Sequence, residues 1–160
     1  MDNMRRLNLP EPEVSVIAEQ GEHKILDIIR KKYVALTPEE WVRQHVIHYF
    51  KSTLEVPPTL MAVEKSFRIG QMTKRFDVAV YNNEGTPLLL TECKSPDVSV
   101  SQKVFDQAVR YNMHLHVDYL FVTNGLEHYG GKIDYRHQTF SFIKKLPKYQ
   151  DMIKNRGGLV

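Results

Sequence analysis

The sequence predicts an α/β layer fold with a mixed sheet, and three patterns lead there. Two stretches, 37–54 and 101–115, carry apolar residues at helical spacing. The chain between them alternates in the manner of strands. Tyr119-Leu120-Phe121-Val122-Thr123, soon after the second helix, is the continuous apolar run of a buried strand. Helices and strands in that order bury their apolar sides as layers about one sheet. The chain has 160 residues, 42% of them hydrophobic, which suits one domain with its own core.

The elements follow in order. Residues 1–13 hold Pro10 and Pro12 and read as an extended arm. Val14–Ile17 begins a short strand, and Gly21 turns the chain into a second near Lys24–Ile29, an N-terminal hairpin. Thr37-Pro38-Glu39-Glu40 is a capping box with proline at the first helical position, and Trp41, Val42, Val46, Tyr49, Phe50 and Leu54 follow at helical spacing. Val56-Pro57-Pro58 ends that helix. Leu60–Val63 and Ser66–Ile69 are strand candidates, with Gly70 as a break. Phe76–Tyr81 alternates, Phe76, Val78 and Val80 to one side and Asp77, Ala79 and Tyr81 to the other. Asn82-Asn83-Glu84-Gly85 turns the chain into Pro87–Lys94, forming an antiparallel hairpin. Ser101 caps the second helix. Ile133–Phe142 is a last strand or irregular edge, and Leu146–Ile153 a terminal helical turn. The organisation expected is an arm and hairpin over 1–36, a core over 37–145 and an extension over 146–160.

Bulk properties exclude some classes. No run of about 20 apolar residues exists, so no transmembrane helix is expected. The charged start, Met1-Asp2-Asn3-Met4-Arg5-Arg6, is not a secretory signal. A single cysteine, Cys93, allows no internal disulfide and points to a reducing, cytoplasmic setting. The net charge of +3 is compatible with nucleic-acid binding without demanding it. Basic residues gather at Arg30-Lys31-Lys32, Lys74-Arg75 and Lys144-Lys145, which most simply form solvated surface.

The chemistry concentrates on two neighbouring strands. Glu92 and Lys94 share one face of the second strand and Cys93 takes the other. Apolar residues occupy both faces, so the strand is central, and a charged pair there costs desolvation unless something offsets it. The hairpin brings Asp77 alongside. Two close carboxylates repel, and a divalent cation relieves the repulsion; oxygen-only ligands suit Mg2+ or Mn2+. A metal so held lowers the pKa of its water and stabilises charge on a phosphate, and a partly desolvated lysine can orient or deprotonate that water. The residues thus form a kit for phosphodiester hydrolysis. A structural ion cluster in an unrelated α/β domain is the bland alternative.

These segments resemble the N-terminal region of type I restriction enzyme R subunits. The resemblance is carried by Thr37-Pro38-Glu39-Glu40-Trp41-Val42-Arg43-Gln44, Arg75-Phe76-Asp77-Val78-Ala79-Val80-Tyr81, Leu90-Thr91-Glu92-Cys93-Lys94-Ser95-Pro96, Asp106-Gln107-Ala108-Val109-Arg110-Tyr111-Asn112 and Val122-Thr123-Asn124-Gly125. It implies a restriction-endonuclease-like, PD-(D/E)xK nuclease fold, a mixed sheet flanked by helices. It implies that Asp77 and Glu92 bind the metal and that Lys94 is catalytic. Gln107 and Tyr111 match a Q-x-x-x-Y element that supports the active site and the DNA backbone. The helical glutamate of that fold is Glu39 or Glu40; helical geometry favours Glu39, because Glu40 has a capping role available. Lys74, Arg75, Tyr111 and Glu40 are substrate-side candidates. No G-x-x-x-x-G-K-[ST] motif is present, so no helicase motor is implied.

Other residues read as structural. His45 and His48 sit at i, i+3 without further zinc ligands. Cys93 points away from Glu92 and reads as core, Asn124-Gly125 as a turn, and Trp41 as packing on the sheet. The expected function is Mg2+- or Mn2+-dependent DNA hydrolysis. The competing expectation is a catalytically idle module on the same fold that binds nucleic acid or a protein partner. A second copy of the chain is among the partners considered; a membrane is not.

Overall fold

A computed structural model describes residues 4–157; the first three residues of the arm and the last three of the C-terminal extension lie outside it. The elements are β1 (Val16–Glu19), β2 (Glu22–Asp27), β3 (Lys32–Ala35), α1 (Pro38–Ser52), a 3-10 turn at Pro58–Leu60, β4 (Met61–Ile69), β5 (Met72–Tyr81), β6 (Pro87–Cys93), α2 (Gln102–Leu115), β7 (Tyr119–Thr123), β8 (His128–Asp134), β9 (Thr139–Ile143) and α3 (Tyr149–Gly157).

The strands form two sheets. A three-stranded antiparallel sheet has the order β1-β2-β3, and a six-stranded sheet the order β4-β5-β6-β7-β8-β9. Within the larger sheet only β6 and β7 run parallel. A parallel pair needs a crossover, and α2 supplies it. The strands β6 and β7 are the most deeply buried, as their unbroken apolar runs require.

Helices cover both faces. One core gathers Val42, Val46 and Phe50 of α1, Val78 and Val80 of β5, Ile25 of β2 and Tyr149 and Met152 near the C terminus. The other face carries α2, through Phe105, Ala108 and Val109 against Leu120, Val122 and Ile133. The segment 146–157 is tied into the first core by Tyr149, whose N–H donates to Leu54 O and whose hydroxyl donates to Tyr81 O. The arm is strapped on as well. Asn8 N–H donates to Gly125 O, and Trp41 Nε1 donates to Arg5 O. Gly125 has φ of +87°, and a Cβ there would lie 2.9 Å from the Leu7 methyls, so both backbone angle and space select glycine.

Several expectations are revised. The N-terminal hairpin gains a third strand, β3. Leu60–Val63 and Ser66–Ile69 merge into one long strand, β4. Ile133–Phe142 is not one strand: β8 and β9 form a hairpin whose turn holds Gln138 at φ of +54°, with no glycine in 135–138 to announce it. Strict alternation in β5 also fails. Phe76 packs with Ala79 and Tyr81, whereas Val78 and Val80 face α1.

Candidate metal and nucleic-acid site at the end of the central strands

The break in alternation sits at Asp77, and it decides which way that side chain points. Across the β4–β5 ladder, Val63 pairs with Val78 and Lys65 with Phe76, leaving Glu64 opposite Asp77. Glu64 has φ of +54°, a strained backbone for a residue with a side chain. Asp77 turns toward α1. Its Oδ1 accepts from Arg43 Nη2 at 2.8 Å, and its Oδ2 accepts from the Cys93 N–H at 2.8 Å. The second bond fixes Asp77 beside the Glu92-Cys93-Lys94 segment.

Helix α1 brings the cation. Thr37 Oγ1 accepts from Glu40 N–H, so the helix starts where the sequence places it. The capping box closes only by half. Thr37 N–H donates to Ala35 O, and the Glu40 carboxylate is engaged elsewhere, by Arg30 Nη2 at 2.7 Å and Arg43 Nη1 at 2.8 Å. Arg30, expected at the surface, turns inward; its Nε donates to Asp27 Oδ2 at 2.6 Å. Asp27 is fully buried, accepts from the Ile29 and Arg30 N–H groups, and also meets Gln44 Nε2. A continuous polar chain therefore runs Asp27–Arg30–Glu40–Arg43–Asp77. Arg43 also lies 3.6 Å from Glu39 and 3.7 Å from Glu64. Burial alone would lower its pKa, but this ring of carboxylates holds the guanidinium well above its ordinary value.

Glu39 and Glu40 separate by environment. Glu40 is buried in the polar chain. Glu39 is about half exposed, and its pKa is raised first by partial burial and then by the charge of Asp77, against Arg43 and Lys94. Of the two, Glu39 shares the field of both Asp77 and Lys94.

Glu92 opens toward α2. Its Oε1 forms an ion pair with Lys74 Nζ at 2.6 Å. Burial pushes the Glu92 carboxyl above the ordinary range; Lys74 and Lys94 oppose the shift and Asp77 adds to it. Lys74 Nζ also stands 5.4 Å from the Phe76 ring centroid and 5.9 Å from that of Tyr111. Tyr111 thus reaches the site through Lys74. Gln107, one turn earlier on α2, is exposed, as is Arg75 on β5. Lys94 follows β6, forms no ion pair among the described residues, and has its charge felt at Glu39 and Glu92.

Cys93 is buried as expected, with burial pushing its thiol well above the ordinary range. His45 Nδ1 is bonded to Trp41 O, and its ring stands edge-on to the Trp41 indole. Asn124 Oδ1 accepts from the Leu126 and Glu127 N–H groups, making the expected turn. The residue that sequence reasoning passed over is Arg43. Its signal was present: an arginine one turn after two glutamates on a helix otherwise turned to the core.

Asp77, Glu92 and Glu39 offer oxygen only, the donor chemistry of a hard divalent cation. The arrangement is charge-balanced by protein cations: among the described residues no three His, Cys, Asp or Glu side chains converge tightly enough to hold an ion together. Arg43 and Lys74 supply the positive charge beside Asp77 and Glu92.

Comparison with known proteins places the chain. The family model for the type I restriction enzyme R protein N terminus matches residues 38–147, which include every residue of the site except those donated by the N-terminal sheet. No curated protein matches. A solved chain described as an HsdR-subunit fragment of a type I restriction enzyme from Vibrio vulnificus is similar at 21% identity, over 68% of this chain and 22% of that one, with a TM-score of 0.48. The chain therefore spans about a fifth of the length of that structural match. With more than half of its residues matched by one family model, the chain belongs to the type I restriction enzyme R protein N-terminal family.

Proposed function

We propose that the chain is a DNA-hydrolysing module of the PD-(D/E)xK kind, with Asp77 and Glu92 as ligands of Mg2+ or Mn2+ and Lys94 as the catalytic lysine. The supporting observation is the Asp77 Oδ2 bond to Cys93 N–H, which sets the aspartate against the Glu-x-Lys strand end. A bound divalent ion supplies Lewis-acid polarisation of the phosphate and a water of lowered pKa. The chain's own residues do the rest. Asp77 and Glu92 provide the ion's oxygen ligands, and Glu39 stands by as a third carboxylate. Lys94, without an ion pair among the described residues, orients the attacking water or takes its proton. Tyr111 steadies Lys74, and Gln107 and Arg75 border the substrate side. Among the described residues no helix is long and apolar enough to cross a membrane.

The test is cleavage of plasmid and single-stranded DNA with Mg2+ or Mn2+. Cutting should need the metal and disappear in Asp77→Asn and Lys94→Ala with the fold retained. Equal cutting by Lys94→Ala rejects the role given to that amine.

A second reading is favoured by one observation: both acids already have a protein cation, Arg43 for Asp77 and Lys74 for Glu92. On that reading the site is idle and the module binds DNA or a partner subunit. DNA titration in EDTA and then in Ca2+ separates binding from cutting.

A further inference from the structure

The far edge of the six-stranded sheet carries aromatic rings that the fold leaves open. Phe142 is 58% exposed, Phe140 38% and Tyr129 37%. All three surround Phe105 of α2, with ring centroids 4.8, 5.7 and 6.2 Å away, and Phe142 lies stacked on it. Strand β9 pairs only with β8 and contains no charged residue or proline.

The strand register ties this edge to the site. Glu92 pairs with Val122, and Val122 with Tyr129. Ladder partners share a face, so Glu92 and Tyr129 lie in one row on the α2 side, two strand spacings or roughly 10 Å apart. The first turn of α2 stands along this row; it carries Lys103 and no acid, so the positive end of the helix is not offset. Lys103 is exposed and forms no ion pair among the described residues.

We infer that this aromatic edge is a platform for single-stranded nucleic acid leading to the Asp77–Glu92–Lys94 site, with bases on Phe142 and Tyr129 and phosphates toward Lys103 and the amino end of α2. The inference rests on the nuclease reading and specifies its substrate. A single strand offers open base faces to stack on exposed rings, whereas a duplex keeps them covered. Lys103 and the amino end of α2 complement phosphate. A protein strand paired along β9 would use the backbone edge and leave that positive charge without a counterpart.

Fluorescence anisotropy of labelled oligothymidylate in EDTA reads binding without cutting. The wild-type chain should bind oligothymidylate more tightly than a duplex of equal length. Phe142→Ala should weaken single-strand binding about tenfold while leaving duplex binding and the circular dichroism spectrum unchanged. Lys103→Gln should reduce the salt dependence of binding. Unchanged oligothymidylate affinity in Phe142→Ala overturns the platform, as does a wild-type preference for duplex. A dimer that Phe142→Ala splits, with oligothymidylate binding unaffected, overturns it too, because the rings then serve a contact between copies. Binding that depends on Phe142 in a chain that cuts nothing with Mg2+ or Mn2+ supports the platform and rejects the nuclease reading.

Discussion

The two flanks of the site are built differently. On the α1 flank, Asp77 ends a buried chain of alternating charges, Asp27–Arg30–Glu40–Arg43, in which each acid has at least one aligned donor. On the α2 flank, Glu92 has one lysine, which is itself partly exposed and shared with two aromatic rings. The α1 flank is a closed scaffold tied to the N-terminal sheet. The α2 flank is a single contact with a partly exposed lysine. A charge held by several donors is fixed more firmly than one held by a single partner. On that argument, Asp77 is the more firmly held of the two acids.

The largest test removes the centre of the closed flank. Arg43→Met leaves Asp77 with only the Cys93 N–H and Glu40 with only Arg30 and Gln44, and should cost about 3–5 kcal/mol in urea unfolding. The double variant with Asp77→Asn should lose less than the sum of the two single losses, because both changes act on one contact. A loss below about 1 kcal/mol for Arg43→Met would put that flank on a par with ordinary surface pairs.

The equivalent change on the open flank should be milder. Lys74→Met is expected to cost about 1–2 kcal/mol, since Lys74 retains solvent and Glu92 can take up a proton. If it costs as much as Arg43→Met, the contrast between the flanks fails.

The pH dependence sharpens the same point. Folding raises the Glu92 pKa, burial being the main cause. The folded state then holds its proton more tightly than the unfolded chain, so this group's contribution to stability falls as pH rises above the ordinary glutamate pKa of about 4.5. Glu92→Gln should remove that fall. Stability curves of the two proteins should therefore diverge upward from that pH, with the variant increasingly favoured; parallel curves would contradict the raised pKa.

The smallest expected effect is at a helix start. Thr37→Ala should cost about 1 kcal/mol by removing the acceptor for Glu40 N–H. It should leave the Arg43–Asp77 contact in place, as read by an additive double variant with Arg43→Met.

Much of this organisation was legible from local patterns. The start of α1 at Thr37-Pro38 and that of α2 at Ser101 depend on a residue and its next turn, so sequence carries them. The deep burial of Pro87–Cys93 follows from its apolar run, and the inward turn of Cys93 from alternation. Strand β8 was partly hidden because Gly130 and Gly131 have little strand preference of their own; Gly131 is there because a Cβ would approach Leu120 Cγ to 3.2 Å. The side to which Asp77 points was misread because alternation fails at the strained Glu64–Asp77 step.

The sequence by itself determined the helix caps and the central strands, because these depend on neighbours a few residues away. Only the tertiary structure decided which charge meets which. Arg30 could have been solvated and Glu40 could have closed its own cap; instead each found a distant partner. Ion pairing inside a core is set by which carboxylates are denied water together, and that is a property of the assembled layers rather than of any segment.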